Sequence, residues 1–121
     1  METTDIELLY KSVKNYGLLP VLSKLFSTLR VTIPLSTQTC NISIKDMELS
    51  VRSYNALMAQ GATNLGALVD LINSGKLNDV RNLGAKSIKE IRLRTFEYSY
   101  EALSEQEKKS FLENLLKINC D

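Results

Sequence analysis

In this sequence of 121 residues, two short stretches carry residue types that could hold an anion. In "NLGAKS", residues 82–87, Lys86 and Ser87 follow Gly84 at the start of a helix-spaced apolar run. The first amides of a helix lack intrahelical acceptors and sit at the positive end of its dipole, so they suit a phosphate oxygen. Lys86 adds a full charge, and Ser87 adds a hydroxyl. Leu83 would anchor the turn in a core, and Gly84 is expected at φ > 0, where a Cβ is opposed. In "VRSYN", residues 51–55, Arg52 and Asn55 are one helical turn apart. They share a face, opposite the expected buried face of Val51, Tyr54, Leu57 and Met58. A guanidinium and an amide at that spacing suit the narrow, negative minor groove of DNA.

Each stretch also has a simpler account when read alone. Gly84 can be a turn glycine with Ser87 or Asn82 as a cap, and Arg52 with Asn55 can be a solvated helix face. A phosphate-binding P-loop fits less well, because Asp79 stands where its earlier glycine is required.

Composition narrows the chemistry. With 44% hydrophobic residues and 24% charged, the protein is expected to form a single globular domain with helical extensions. There is no histidine, which removes Ser-His-Asp and Cys-His catalysis and His-ligated metals. Cys40 and Cys120 fit neither a metal spacing nor a disulfide framework. No signal-peptide pattern and no membrane-length apolar run are present, so a cytoplasmic setting is expected, with no membrane. Neither a cofactor nor a metal is called for, and no catalytic role is expected. Net charge is only +1, but residues 41–95 carry eight basic against five acidic side chains. Residues 96–121 carry six acids against three lysines. A mildly basic middle followed by an acidic tail points to an anionic partner for the middle.

The elements that must position these groups read as helices. Residues 4–16 place Ile6, Leu9, Tyr10, Val13 and Tyr16 on one stripe, with Thr4 as cap and Gly17 as stop. A second helix is expected from Pro20, with Val21, Leu22, Leu25, Phe26 and Leu29 apolar. "VTIPLSTQTCNIS" reads as an extended linker with room for a short strand. Short helices punctuated by Gly61 and Gly75 follow, the first capped by Ser50. A helix then runs from Lys86 or Ser87 towards Leu103. A last helix opens at Ser104 with a capping box to Glu107 and buries Phe111, Leu112, Leu115 and Leu116. The expected class is all-α. The expected division is a helical extension and linker over 1–40, a central module over 41–100 and a C-terminal amphipathic helix over 101–121.

"IKDMELSVRSYNALMAQGATNLGALVDL" followed by "LNDVRNLGAKSIKEI" resembles the C-terminal domain of the bacterial RNA polymerase alpha subunit. The likeness runs from about Ile44 to Ile91. It implies a compact fold with two helix-hairpin-helix-like units that bind the minor groove of A/T-rich DNA. By that resemblance Arg52 is the groove-inserting arginine and Asn55 its polar partner. Asn82, Gly84, Lys86 and Ser87 form the second DNA-contacting element, which Glu90 accompanies. Asp46 and Glu48 match an acidic surface that touches the sigma factor, although the same acids can serve a helix dipole. The implied partners are DNA and the polymerase, sigma factor or a transcription regulator. The alternative is a docking module that contacts those proteins without binding DNA. Two departures stand out. Ala85 replaces an expected basic residue, and the flanking helices have no counterpart in the family module.

Overall fold

The computed structural model describes residues 3–26 and 31–119, with side chains from Ile6 onward in the first segment. Among the described residues six α-helices are ordered α1 (Thr3–Tyr16), α2 (Leu18–Leu25), α3 (Val51–Ala59), α4 (Leu65–Asn73), α5 (Ala85–Glu101) and α6 (Glu105–Asn119). Two 3-10 turns, Ile44–Asp46 and Lys76–Asp79, precede α3 and α5. Among the described residues there is no strand, only an isolated bridge between Ser43 and Asn64. The class is all-α.

Most helix boundaries follow from local chemistry. Gly17, Gly61 and Gly75 take left-handed φ values of 94°, 84° and 79° where helices end. Ser50 Oγ accepts from the Ser53 N–H at 3.3 Å, capping α3, and Asn64 Oδ1 accepts from the Ala67 N–H at 2.9 Å, capping α4. Ser104 and Glu107 form the expected reciprocal box: the Ser104 N–H donates to Glu107 at 2.9 Å, and the Glu107 N–H donates to Ser104 Oγ at 3.3 Å. The backbone bond from Ser104 comes first among the causes that hold the Glu107 carboxyl below its ordinary value.

Other boundaries differ from expectation. α2 begins at Leu18, so Pro20 occupies its third position; a proline is tolerated anywhere in the first turn, which leaves the start ambiguous in sequence. α1 begins at Thr3, placing Thr4 inside the helix rather than at its cap. Leu29 and Cys120 lie outside the described residues. On α3 the inward face is Ser53, Ala56 and Leu57, while Val51 is 76% exposed and Met58 also faces solvent. On α1, Tyr16 runs past the core and is exposed.

The segment 31–43 is irregular but packed, not a free linker. Ile33 is buried, and Asn73 clamps its backbone from α4 by accepting from the Ile33 N–H at 2.8 Å and donating to its carbonyl at 2.9 Å. Asn119 repeats the arrangement on Thr32 from α6, at 2.8 Å in both directions. One apolar cluster joins Tyr10 and Val13 of α1, Leu22 of α2, Leu57 of α3, Leu68 of α4, Phe96 of α5 and Leu112 of α6. The Tyr100 and Phe111 rings meet edge to face at 5.7 Å, and Lys109 both pairs with Glu7 at 3.1 Å and lies over the Tyr10 ring. These contacts seat α6 against α1 and α5.

Candidate nucleic-acid interface

The position of Arg52 is set by a hydroxyl–carboxylate cluster at the start of α3. Glu90, on α5, receives the Ser53 hydroxyl at 2.8 Å, the Ser50 hydroxyl at 3.0 Å and the Ser50 N–H at 3.4 Å. Ser50 Oγ is also 3.0 Å from Ser53 Oγ, but its one proton goes to the carboxylate, which can only accept. Burial alone would raise the Glu90 carboxyl. The bonds from Ser53 and Ser50, with the Arg94 charge, outweigh it and hold the group below its ordinary value. Arg52 lies between the two clamped serines in sequence, so the cluster fixes the rotation of α3 about its axis. Arg52 and Asn55 are left on the outward face, both exposed.

The second element is the turn into α5. It bends at Asn82, which takes φ 69°, and not at Gly84, whose φ of −88° and ψ of 177° are extended backbone open to any residue. The expectation of a left-handed Gly84 is therefore corrected. Asparagine is among the non-glycine residues that best tolerate this region, and turning there drops Leu83 against the core. Gly84 acts instead as the N-cap, and a Cβ added there would meet nothing within 4 Å. The Ile88 N–H is the first of the helix to find a backbone partner, the Gly84 carbonyl at 3.0 Å. Gly84 provides no side-chain cap and the first turn carries no acid, so the amides of Ala85, Lys86 and Ser87 stay available beside the Lys86 charge.

Arg52, Asn55 and Asn82 meet around one open cleft of about 490 Å³, joined by Gln60 and Arg81. Gly84, Lys86 and Ser87 do not line it; they follow it at the start of α5. Arg81 and Gln60 were not singled out from the sequence. Arg81 stands next to Asn82, and its place in the turn between two helix units was the available signal. Asp46 is exposed on its 3-10 turn. Glu48 is exposed too, with φ 54°, and receives the Tyr98 hydroxyl at 2.7 Å. That bond, ahead of partial burial, raises the Tyr98 phenol. Glu90 is engaged internally through Oε1, which takes all three serine bonds.

The family model for the C-terminal domain of the bacterial RNA polymerase alpha subunit matches residues 32–94. The protein belongs to this family. Among relatives, the DNA-directed RNA polymerase subunit alpha of Rubrobacter xylanophilus is 46% identical over 57 residues, 47% of the present sequence and 18% of its own. The subunit of Malacoplasma penetrans is 40% identical over 80 residues, 60% of the present sequence and 24% of its own. That of Ureaplasma parvum is 42% identical over 64 residues, covering 53% and 19%. The match thus spans about a fifth of the length of these relatives. No solved structure matches. The alpha C-terminal domain is a non-catalytic part of the polymerase. Its match begins at Thr32, inside the packed segment 31–43, and takes in both halves of the cleft, whereas α1, α2 and α6 lie outside it. Among the described residues no acidic or sulfur cluster could hold a metal, and no helix is long and apolar enough to cross a membrane.

Proposed function

We propose that this alpha C-terminal-domain protein is a transcription-associated, nucleoid-associated module that binds the minor groove of A/T-rich DNA. The convergence of Arg52, Asn55, Asn82 and Arg81 on one exposed cleft is the observation that carries the reading. Arg52 enters the groove, where the narrow A-tract minor groove concentrates negative potential. Asn55 and Asn82 bond to sugar and phosphate edges on either side. Arg81 and Lys86 neutralise phosphates, and the uncapped amides at the start of α5 receive a phosphate oxygen. Gly84 leaves that approach open by bringing no side chain to it. Recognition works through groove shape, since few side chains reach base edges. Asp46 and Glu48 offer an exposed acidic surface to a basic partner such as the polymerase, its sigma factor or a regulator.

Fluorescence anisotropy on A-tract and G/C-rich duplexes over a salt series tests this reading. Tighter A-tract binding is expected, with a slope of log K against log salt of about −2 to −3 for two or three neutralised phosphates. Arg52→Ala is expected to weaken binding by about ten-fold or more, a loss of roughly 1.4 kcal/mol, with the melting curve unchanged. Equal affinity for both duplexes, or an Arg52→Ala protein that binds as well as wild type, overturns it.

A further inference from the structure

The hairpin of α1 and α2 has two apolar stripes, and the core fully buries only one. Tyr10, Val13, Leu18 and Leu22 face inward. Leu9 and Val21 pack partly against that core and, with Tyr16, Pro20, Leu25 and Lys24, line a groove of about 460 Å³ between the two helices. Of the lining residues, Tyr16 and Leu25 are 74% and 48% exposed. Charge here is one-sided: residues 8–26 contain Lys11, Lys14 and Lys24 and no acid. Glu7, one residue before this stretch, is taken up by Lys109 at 3.1 Å. This groove shares no lining residue with the Arg52 cleft and lies outside the family match.

We propose that the α1–α2 groove docks an acidic amphipathic helix of a partner protein, independently of DNA. A concave apolar seam between two helices accepts the ridge of a third, with anchors at i, i+3, i+4 and i+7. A flat lipid surface would call for a convex apolar face instead. Lys24 within the groove selects glutamate or aspartate on the flanks of the incoming helix. A second copy of this protein is a poorer occupant, because α6 balances three acids with three lysines. The proposal goes beyond the DNA-binding reading and stands or falls separately from it.

The probe is a synthetic helical peptide of about four turns, with Leu anchors at those positions and Glu on its flanks. The control carries Lys in place of each Glu. Titrated into the isotope-labelled protein, the acidic peptide is expected to shift amide resonances of α1 and α2 while leaving those around Arg52 in place. Lys24→Glu should weaken it by about ten-fold and favour the control peptide. Leu25→Glu should abolish the shifts. Both side chains are exposed, so the fold is retained, and DNA binding of either variant should equal wild type. Equal binding of the two peptides, or shifts centred elsewhere, overturns the proposal. So does sedimentation that finds a dimer dissociated by Leu25→Glu, or binding to phosphatidylglycerol vesicles in place of the peptide.

Discussion

The Arg52 cleft and the α1–α2 groove are built by opposite means. The cleft is rimmed by charged and amide side chains and is positioned by directed bonds: two clamped serines, a carboxylate, and an asparagine held in a left-handed turn. The groove is apolar and is positioned by packing, through Leu18 and Leu22 beneath it. A directed bond fixes a side chain's angle, which reading a DNA groove demands. Packing fixes only a surface and a shape, which suffices for an apolar ridge.

The sharpest way to break the contrast is to ask whether the two regions share one cooperative core. Leu22 and Leu57 are both fully buried, on α2 and α3. Replacing either by Ala is expected to cost about 2–5 kcal/mol. If one core serves both regions, each variant lowers a single melting transition followed by probes on α2 and α3. Two separated transitions in Leu22→Ala would mean that the flanking helices fold on their own.

Next in size is the turn. Asn82→Val places a β-branched residue at φ 69° and should cost about 1–2 kcal/mol in chemical denaturation. Asn82→Gly should be nearly neutral. Gly84→Ser is expected to go the other way, raising stability by a few tenths of a kcal/mol as a better cap. It should nonetheless weaken DNA binding, because its hydroxyl occupies the amides proposed for phosphate. A Gly84→Ser protein that binds DNA as tightly as wild type would dissociate those amides from the interface.

Glu90→Gln should lower the thermal midpoint near neutral pH, since the carboxylate accepts several bonds that an amide matches less well. The folded carboxyl titrates below its ordinary value of 4.5. Its contribution is therefore complete above that value and is lost as pH falls through the folded one, so the gap between wild type and variant should close in acid. The smallest effect is expected for Arg81→Ala. It should reduce the salt slope by about one unit, with affinity for A-tract and G/C duplexes weakened equally.

The sequence was readable wherever a structure is decided within about four residues. The Ser50 cap, the Ser104–Glu107 box and the glycine helix ends are of that kind. It was unreadable where the partner is remote. Ser53 turns inward because Glu90 waits on α5, and Val51 is displaced to solvent as a result. Ile33 is packed because Asn73 clamps it, and no local rule marks that asparagine. Asn82 and Gly84 can both carry a left-handed backbone, and the need to place Leu83 inward decides between them. Of the candidate site, residue types and their exposure were legible; the gathering of Arg52, Asn55 and Asn82 with Arg81 required the fold.

The asparagine clasp between Asn119 and Thr32 spans 87 residues of sequence. During synthesis at about 5–20 residues per second, Thr32 leaves the ribosome roughly 4–17 s before its partner. The segment around Ile33 can meet Asn73 well before then, so the two clasps close in order, α4 first and α6 last. A nascent polypeptide halted before α6 would hold the Arg52 cleft nearly complete while one side of its core stayed uncovered, a window in which a chaperone has something to grip.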